Sequence, residues 1–185
     1  MTTIPTPLSA TSASATFRLD DGRLIAFGRV TPADRPMIAE GMLRLSVTSS
    51  WRRFFTVRRR LTEREMHDLT NPADPLRLAV GASAHLPDGR VEGVGIARYV
   101  RLEGEPGTAE VAVTVIDDYQ RLGIGALLLR RIGREARQRG VRRLSGIVLH
   151  ENVPMLKLLE RHARSLVRRV TSEHVAFEYP LPAAA

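Results

Sequence analysis

The chain has 185 residues, 43% hydrophobic and 26% charged, enough for one domain with a buried core and ordinary for a soluble globular protein. It contains no cysteine, which excludes disulfides, thiolate metal sites and a cysteine acyl-enzyme and suits a reducing, cytoplasmic setting. A formal net charge of +8 favours anionic partners: phosphates, anionic cofactors, acidic proteins or nucleic acid.

Residues 1–16 are rich in Ser, Thr, Ala and Pro and lack the basic start and apolar core of a secretory signal, so they read as a disordered leader. The segment 17–182 reads as a single domain, and 183–185 as a loose tail. No apolar run approaches the roughly 20 residues of a membrane span.

"TFRLDDGRLIAFGRV" alternates around Asp21-Gly22 and predicts a hairpin. In "TPADRPMIAEGMLRLS" Thr31 caps a helix with a proline at its first position and Ile38, Met42 and Leu45 on one face. "SSWRRFF" and "LTEREMHDLTN" predict helical stretches broken near Val57, the second capped by Thr62. "LRLAVGASAHL", "RVEGVGIARYVRL" and "TAEVAVTVI" are three successive strands, the last two separated by "EGEPG".

A helix follows over Gly123–Arg139, with Leu128, Ile132 and Ala136 as its inner stripe and Gly140 closing it. The strand "RRLSGIVLH", the helix "NVPMLKLLERHA" and two closing strands, "RSLVRRV" and "HVAFEYPL", complete the chain. The order predicts an α/β (α+β) fold: a mixed, mostly antiparallel sheet with one parallel crossover through the glycine-led helix.

That helix begins with two glycines, Gly123 and Gly125, in the pattern Q-x-x-G-x-G from Gln120. A dinucleotide loop would want a third glycine and a later acidic residue, and a P-loop would want G-K-[ST]; both are absent. Two readings remain. Unpaired amides at the helix N-terminus suit a pyrophosphate, provided no side chain blocks the approach; or the glycines serve only a turn.

The stretch "AEVAVTVIDDYQRLGIGALLLRRIGREARQRGVRRLSGIVLHENVPMLKLLER" resembles the acetyl-CoA-binding core of the GNAT acetyltransferase superfamily. Upstream, "FGRVTPADRPMIAEGMLRLSVTSSWRRFF" and "LTEREMHDLTN" are similar to the bacterial Pat-type protein lysine acetyltransferases, so that the resemblance runs from Thr16 to Leu181. It implies the GNAT fold, with helices on both faces of the sheet, and acetyl-CoA as co-substrate.

In that fold the strand Glu110–Ile116 splays from the strand Arg143–His150. The resemblance puts the backbone of Val113 and Val115 along the pantetheine arm, and Gln120, Arg121, Leu122, Gly123, Ile124, Gly125 and Ala126 around the pyrophosphate. Asn152 would reach the pantetheine, though a helix cap is its ordinary reading. Glu110 would be the base that deprotonates the amine, and an amide near Val115 would face the oxyanion. Direct transfer in a ternary complex is implied, with a protein lysine as acceptor; small amines are the alternative, and a sensor without turnover a further one.

The chain departs from the pattern in places. It lacks the usual tyrosine of the last helix, leaving His162 as a weak substitute; Ala163-Arg164 replace a Gly-Phe pair, and Leu122 stands where a basic residue is common. Regulatory domains found with some Pat-type enzymes do not fit within 185 residues, so such regulation would come in trans.

Trp51, Phe54 and Phe55 either line the acceptor pocket or, as is commoner at helical spacing, belong to the core. The histidines lack metal-ligand spacing, and no metal is expected. The basic runs "WRRFFTVRRR" and "RRIGREARQRGVRR" suit nucleic-acid backbones. The second, however, lies on the outer face of its helix with Glu135 within it, and a solvated face is the simpler account.

Overall fold

The structure, a computed structural model, describes residues 15–163 and 165–182. Most of the proposed leader, the 183–185 tail and Arg164 therefore lie outside the described residues, but Ala15 and Thr16 already belong to the first strand.

Eight strands form one sheet: β1 (Ala15–Arg18), β2 (Leu24–Arg29), β3 (Arg77–His85), β4 (Val91–Leu102), β5 (Glu105–Val115), β6 (Arg143–Leu149), β7 (Val167–Val170) and β8 (His174–Pro180). Their spatial order is β1-β2-β3-β4-β5-β6-β8-β7, antiparallel throughout except for the β5–β6 pair. The helices are α1 (Arg35–Arg44), α2 (Val47–Phe54), α3 (Glu63–Thr70), α4 (Ile124–Gln138) and α5 (Val153–His162). The crossover from β5 to β6 through α4 is what makes that pair parallel. Among the described residues no helix is long and apolar enough to cross a membrane.

Two boundaries differ from expectation. β5 starts at Glu105, so the "EGEPG" separator shrinks to Glu103-Gly104, because an irregularity between Arg101 and Leu102 carries the pairing on to Leu102↔Glu105. Thr31 heads a 3-10 turn, Pro32–Asp34, and the α-helix begins only at Arg35; Asp34 accepts from the Thr31 amide at 2.7 Å.

Helices cover both faces of the sheet. On one, α4 buries Leu128, Ile132 and Ala136, each 0% exposed, as its 3.6-residue period demands. On the other lie α1, α2 and α3. β4 carries a bulge that sorts its side chains between these faces: Ala82 pairs with Gly95 and Ser83 with Gly93, leaving Val94 unopposed. A Cβ on Gly93 would strike Met37 of α1 at 2.7 Å, whereas one on Gly95 would strike Leu128 of α4 at 2.9 Å. Beyond the bulge, Ile96 and Arg98 face the α1–α3 side, opposite Thr114 and Ala112 of β5.

Glu135 is not on the outer face of α4. It is 7% exposed and accepts from Arg29 Nε at 3.0 Å and Nη2 at 2.7 Å. Arg139, from the same basic run, turns inward to the carbonyls of Asp74 and Pro72, at 3.0 Å each. Glu135 and Arg139 thus tie the helix to the fold, while Arg130, Arg134, Arg142 and Arg143 of the same run are exposed, as the solvated-face reading expects.

The Thr62 cap forms as expected, with the Glu65 amide 3.2 Å from Thr62 Oγ1 and the Thr62 amide 2.8 Å from Glu65 Oε2. Arg58 also grips Glu65 with two bonds of 2.6 Å. Arg58 first, and then the Thr62 amide, hold the Glu65 carboxyl down at about 2. A depressed carboxylate stabilises the fold fully above its unfolded value and loses that contribution as pH falls through the folded one. Both partners are partly solvated, which limits the effect. Glu65→Gln is thus expected to cost about 1 kcal/mol near neutral pH. Urea midpoints of variant and parent should converge as the pH drops from about 4.5 towards 2.

Candidate functional site

The site begins where two strands part. β5 and β6 pair only at Thr108↔Arg143, Ala109↔Leu144 and Glu110↔Ser145, yet β5 runs on to Val115 and β6 to Leu149. The resulting wedge is lined on one side by β5 backbone. The Ile116 amide points to β4, donating to the Val94 carbonyl, whereas the Val115 carbonyl points away and accepts from Gln120. By strand alternation the backbone groups of Val111, Val113 and Val115 face the wedge. Those of Val113 therefore offer a strand-like edge to an extended ligand.

At the wedge's end a 3-10 turn, Asp117–Tyr119, leads into the glycine loop. Arg121 and Gly123 are both left-handed, with φ of 63° and 82°. Among the described residues the five amides from Arg121 to Gly125 find no acceptor. Leu122 packs against the core and Ile124 is 1% exposed, so these side chains anchor the loop from within. Successive donors at the head of a 15-residue helix have the geometry to hold an anion.

The two glycines have different reasons. Gly123 has open space where a Cβ would stand, but a backbone conformation that L side chains rarely adopt. Gly125 has ordinary φ and room: a Cβ there would lie 3.6 Å from Leu158 and 3.8 Å from Val115, normal contacts. The packing of the protein alone does not require glycine at 125.

Gln120 does not join the cradle. Its amide donates to the Asp117 carbonyl at 3.1 Å, and its side chain to Ser49 Oγ at 3.1 Å and the Val115 carbonyl at 3.0 Å. These bonds tie the loop to α2 and to the end of β5. Asp117 completes the brace, accepting from the Ser46 amide at 3.0 Å, Ser46 Oγ at 2.7 Å and Ser49 Oγ at 2.9 Å. Burial pushes this carboxyl up, but the Ser46 and Ser49 bonds outweigh it and hold the group below its ordinary value. Ser46 is also the cap of α2, so one carboxylate ties that helix to the loop. Sequence reasoning missed Ser46, Ser49 and Asp117; the Ser46 cap was the only local signal.

Arg121 is exposed, and Ala126 is half-buried in the first turn of α4. Asn152 caps α5, its Oδ1 3.3 Å from the Met155 amide. His162 is exposed at the last residue of α5 and does not line the cavity described next.

On the α1–α3 side of β5 lies a cavity of about 320 Å³. Glu110 opens on it from the last position at which β5 and β6 pair. Arg53 of α2, Arg98 of β4, Phe54 and Phe55 also line it. Burial, helped by Arg98 and opposed by Glu110, lowers the Arg53 guanidinium to about 10. Phe55 is 40% exposed and ends α2 with φ of 57°. Trp51, 43% exposed, lies outside the cavity and donates to Glu151 Oε1 at 3.1 Å. The core reading thus holds only for Phe54, which packs against the main apolar cluster.

The sequence profile of the Acetyltransferase (GNAT) family matches residues 45–163. An acetyltransferase of Pseudomonas aeruginosa is 33% identical over 129 residues, 70% of this chain and 68% of that one. Acetyltransferase Pat of Mycolicibacterium smegmatis is 45% identical over 73 residues, 39% of this chain and 22% of the longer relative. Among solved structures, the GNAT domain of S. lividans PAT superposes with a TM-score of 0.78 at 27% identity, covering 90% of this chain and 96% of that one. The wedge, the amide cradle and these likenesses agree: the chain belongs to the GNAT family and is an acetyl-CoA-dependent N-acetyltransferase.

Proposed function

We propose that the chain moves an acetyl group from acetyl-CoA to a lysine side chain of a protein, by direct attack in a ternary complex. The observation carrying this reading is the placement of two sites on opposite sides of one strand. The wedge and the amides of Arg121 to Gly125 offer an edge and an anion cradle, and Glu110 opens on a separate cavity behind them.

Acetyl-CoA supplies the activated thioester. The Arg121, Leu122, Gly123, Ile124 and Gly125 amides hold its pyrophosphate, with Arg121 and Ala126 beside them. Val113 and Val115 hold the pantetheine through their backbone, and Asn152 borders it. Glu110 takes the proton from the incoming ammonium, which must be neutral to attack. A thiol with a pKa of about 8.5 leaves without a dedicated acid at modest cost, so a missing tyrosine is tolerable.

The charges of the cavity support an acceptor other than a polycation. Glu65 is occupied by Arg58 and Asp34 by Thr31, so Glu110 is the cavity's one carboxylate without such a partner among the described residues. Thiol release from acetyl-CoA, measured with lysine-bearing proteins and separately with polyamines and aminoglycosides, tests the reading. Acetylated lysine in the added protein supports it; turnover with small amines alone overturns it. Self-labelling is confined to Lys157, the sole lysine, and the N-terminus.

Asp117→Asn would keep the shape of the brace but place an NH2 group where an acceptor is needed. Losing one or two of its bonds to Ser46 and Ser49 is expected to raise KM for acetyl-CoA roughly threefold to tenfold. Saturating kcat should change less than about twofold, since Asp117 does not line the cavity.

A further inference from the structure

The cavity carries more positive charge than its proposed chemistry needs. Arg53 and Arg98 both open on it, and among the described residues neither has a carboxylate within ion-pair distance. Arg53 does lie over the Phe54 ring, its guanidinium carbon 4.8 Å from the centroid. Arg98 is two residues from Val100, the cross-strand partner of Glu110, so the guanidinium and the carboxylate stand as diagonal neighbours on one sheet face. The neighbouring cation Arg58 is already matched by Glu65. What remains is two guanidiniums around one carboxylate. An ammonium arriving alone would meet net repulsion in a partly desolvated space. One that brings its own anion would meet complementary charge, and paired guanidiniums suit carboxylate geometry.

We propose that Arg53 and Arg98 anchor an anionic group carried by the acceptor close to its reactive amine, so that the enzyme selects amines with an adjacent carboxylate. The inference rests on the acetyl transfer at Glu110 argued above and narrows its substrate class. The anion comes either from an acidic residue flanking the target lysine or from the acceptor's own carboxylate. Arg53 acts from the last turn of α2 and Arg98 from beyond the β4 bulge, so the anchor converges from a helix and the sheet. Burial already lowers Arg53 to about 10, and an incoming anion restores favourable surroundings for its charge.

Two acceptor pairs test it. The first is a blocked peptide with one lysine flanked by Glu, set against the same peptide flanked by Gln. The second is Nα-acetyl-lysine against its amide, which asks whether the acceptor's own carboxylate serves. Each is measured for kcat/KM by thiol release and, separately, for Kd by calorimetry on protein saturated with CoA.

At least one pair should favour the acid about tenfold or more in both readouts. That ratio should fall below about threefold in Arg98→Gln and in Arg53→Gln while the Kd for acetyl-CoA stays within twofold. Equal values within both pairs overturn the anchor, as does a preference that survives both substitutions. If the lysine peptides are acetylated without preference, transfer stands and the anchor falls. If acid-bearing acceptors bind selectively yet are not acetylated, the anchor stands and the transfer to lysine falls.

Discussion

Gly125→Glu is expected to abolish acetyl-CoA binding, weakening it at least 100-fold in calorimetry, while the protein remains folded. The fold tolerates the side chain because a Cβ at 125 meets Leu158 at 3.6 Å and Val115 at 3.8 Å, ordinary contacts. Helix energetics favour the change: glycine at the second position of α4 costs about 1 kcal/mol relative to a better helix former, and a carboxylate there complements the helix dipole. The same carboxylate lies beside the amides of Arg121 to Gly125 and would neutralise the cradle from within. Gly125→Ala separates bulk from charge and should weaken binding less, by about tenfold, the equivalent of 1.4 kcal/mol. A melting temperature unchanged or raised, combined with lost binding, locates the pyrophosphate. Wild-type affinity in the Glu variant would move the cofactor elsewhere.

What the sequence made legible, and what it hid, follows the range of the interactions. The inner stripe of α4 and the Thr62 cap were readable because period and capping act within a few residues. The splay of β5 from β6 was implied by the likeness to a family, since no local pattern announces where two strands stop pairing. Glu135 was misplaced because the arginine that draws it inward, Arg29, is 106 residues away. Gln120 fitted the motif as a ligand, yet its side chain is held by Ser49, 71 positions upstream, and by Val115. Arg98 was hidden for another reason. The bulge at Val94 exchanges the faces of β4, so alternation read from one end of the strand assigns the other end wrongly. Only the registered pairing with β5 puts Arg98 on the side of Glu110. The recurrent failure concerns polar side chains whose partners are distant, because composition and period carry no information about who answers a buried charge.

Glu110→Gln is expected to lower kcat by about 100-fold to 10,000-fold near neutral pH, the range for a positioned general base. Binding of acetyl-CoA should stay within about twofold, because the Glu110 side chain opens on the cavity and not on the amides of the loop. The exposed side chain of Glu110, midway along β5, would let it return the proton to solvent after each turnover. A pH profile separates a base from a residue that merely shapes the pocket. A free lysine amine has a pKa of about 10.4, so each unit by which the pH rises towards that value supplies tenfold more neutral amine. If Glu110 removes the proton, the variant should gain rate with a slope near one up to about pH 9.5, and the gap to the parent should narrow. A deficit independent of pH would assign Glu110 to acceptor binding, leaving deprotonation to water. Arg98→Gln gives the complementary control: it leaves the base in place, so its rate should keep the parent's pH profile while acceptor KM rises. The two substitutions thus divide the cavity between a group that moves a proton and a group that holds a charge.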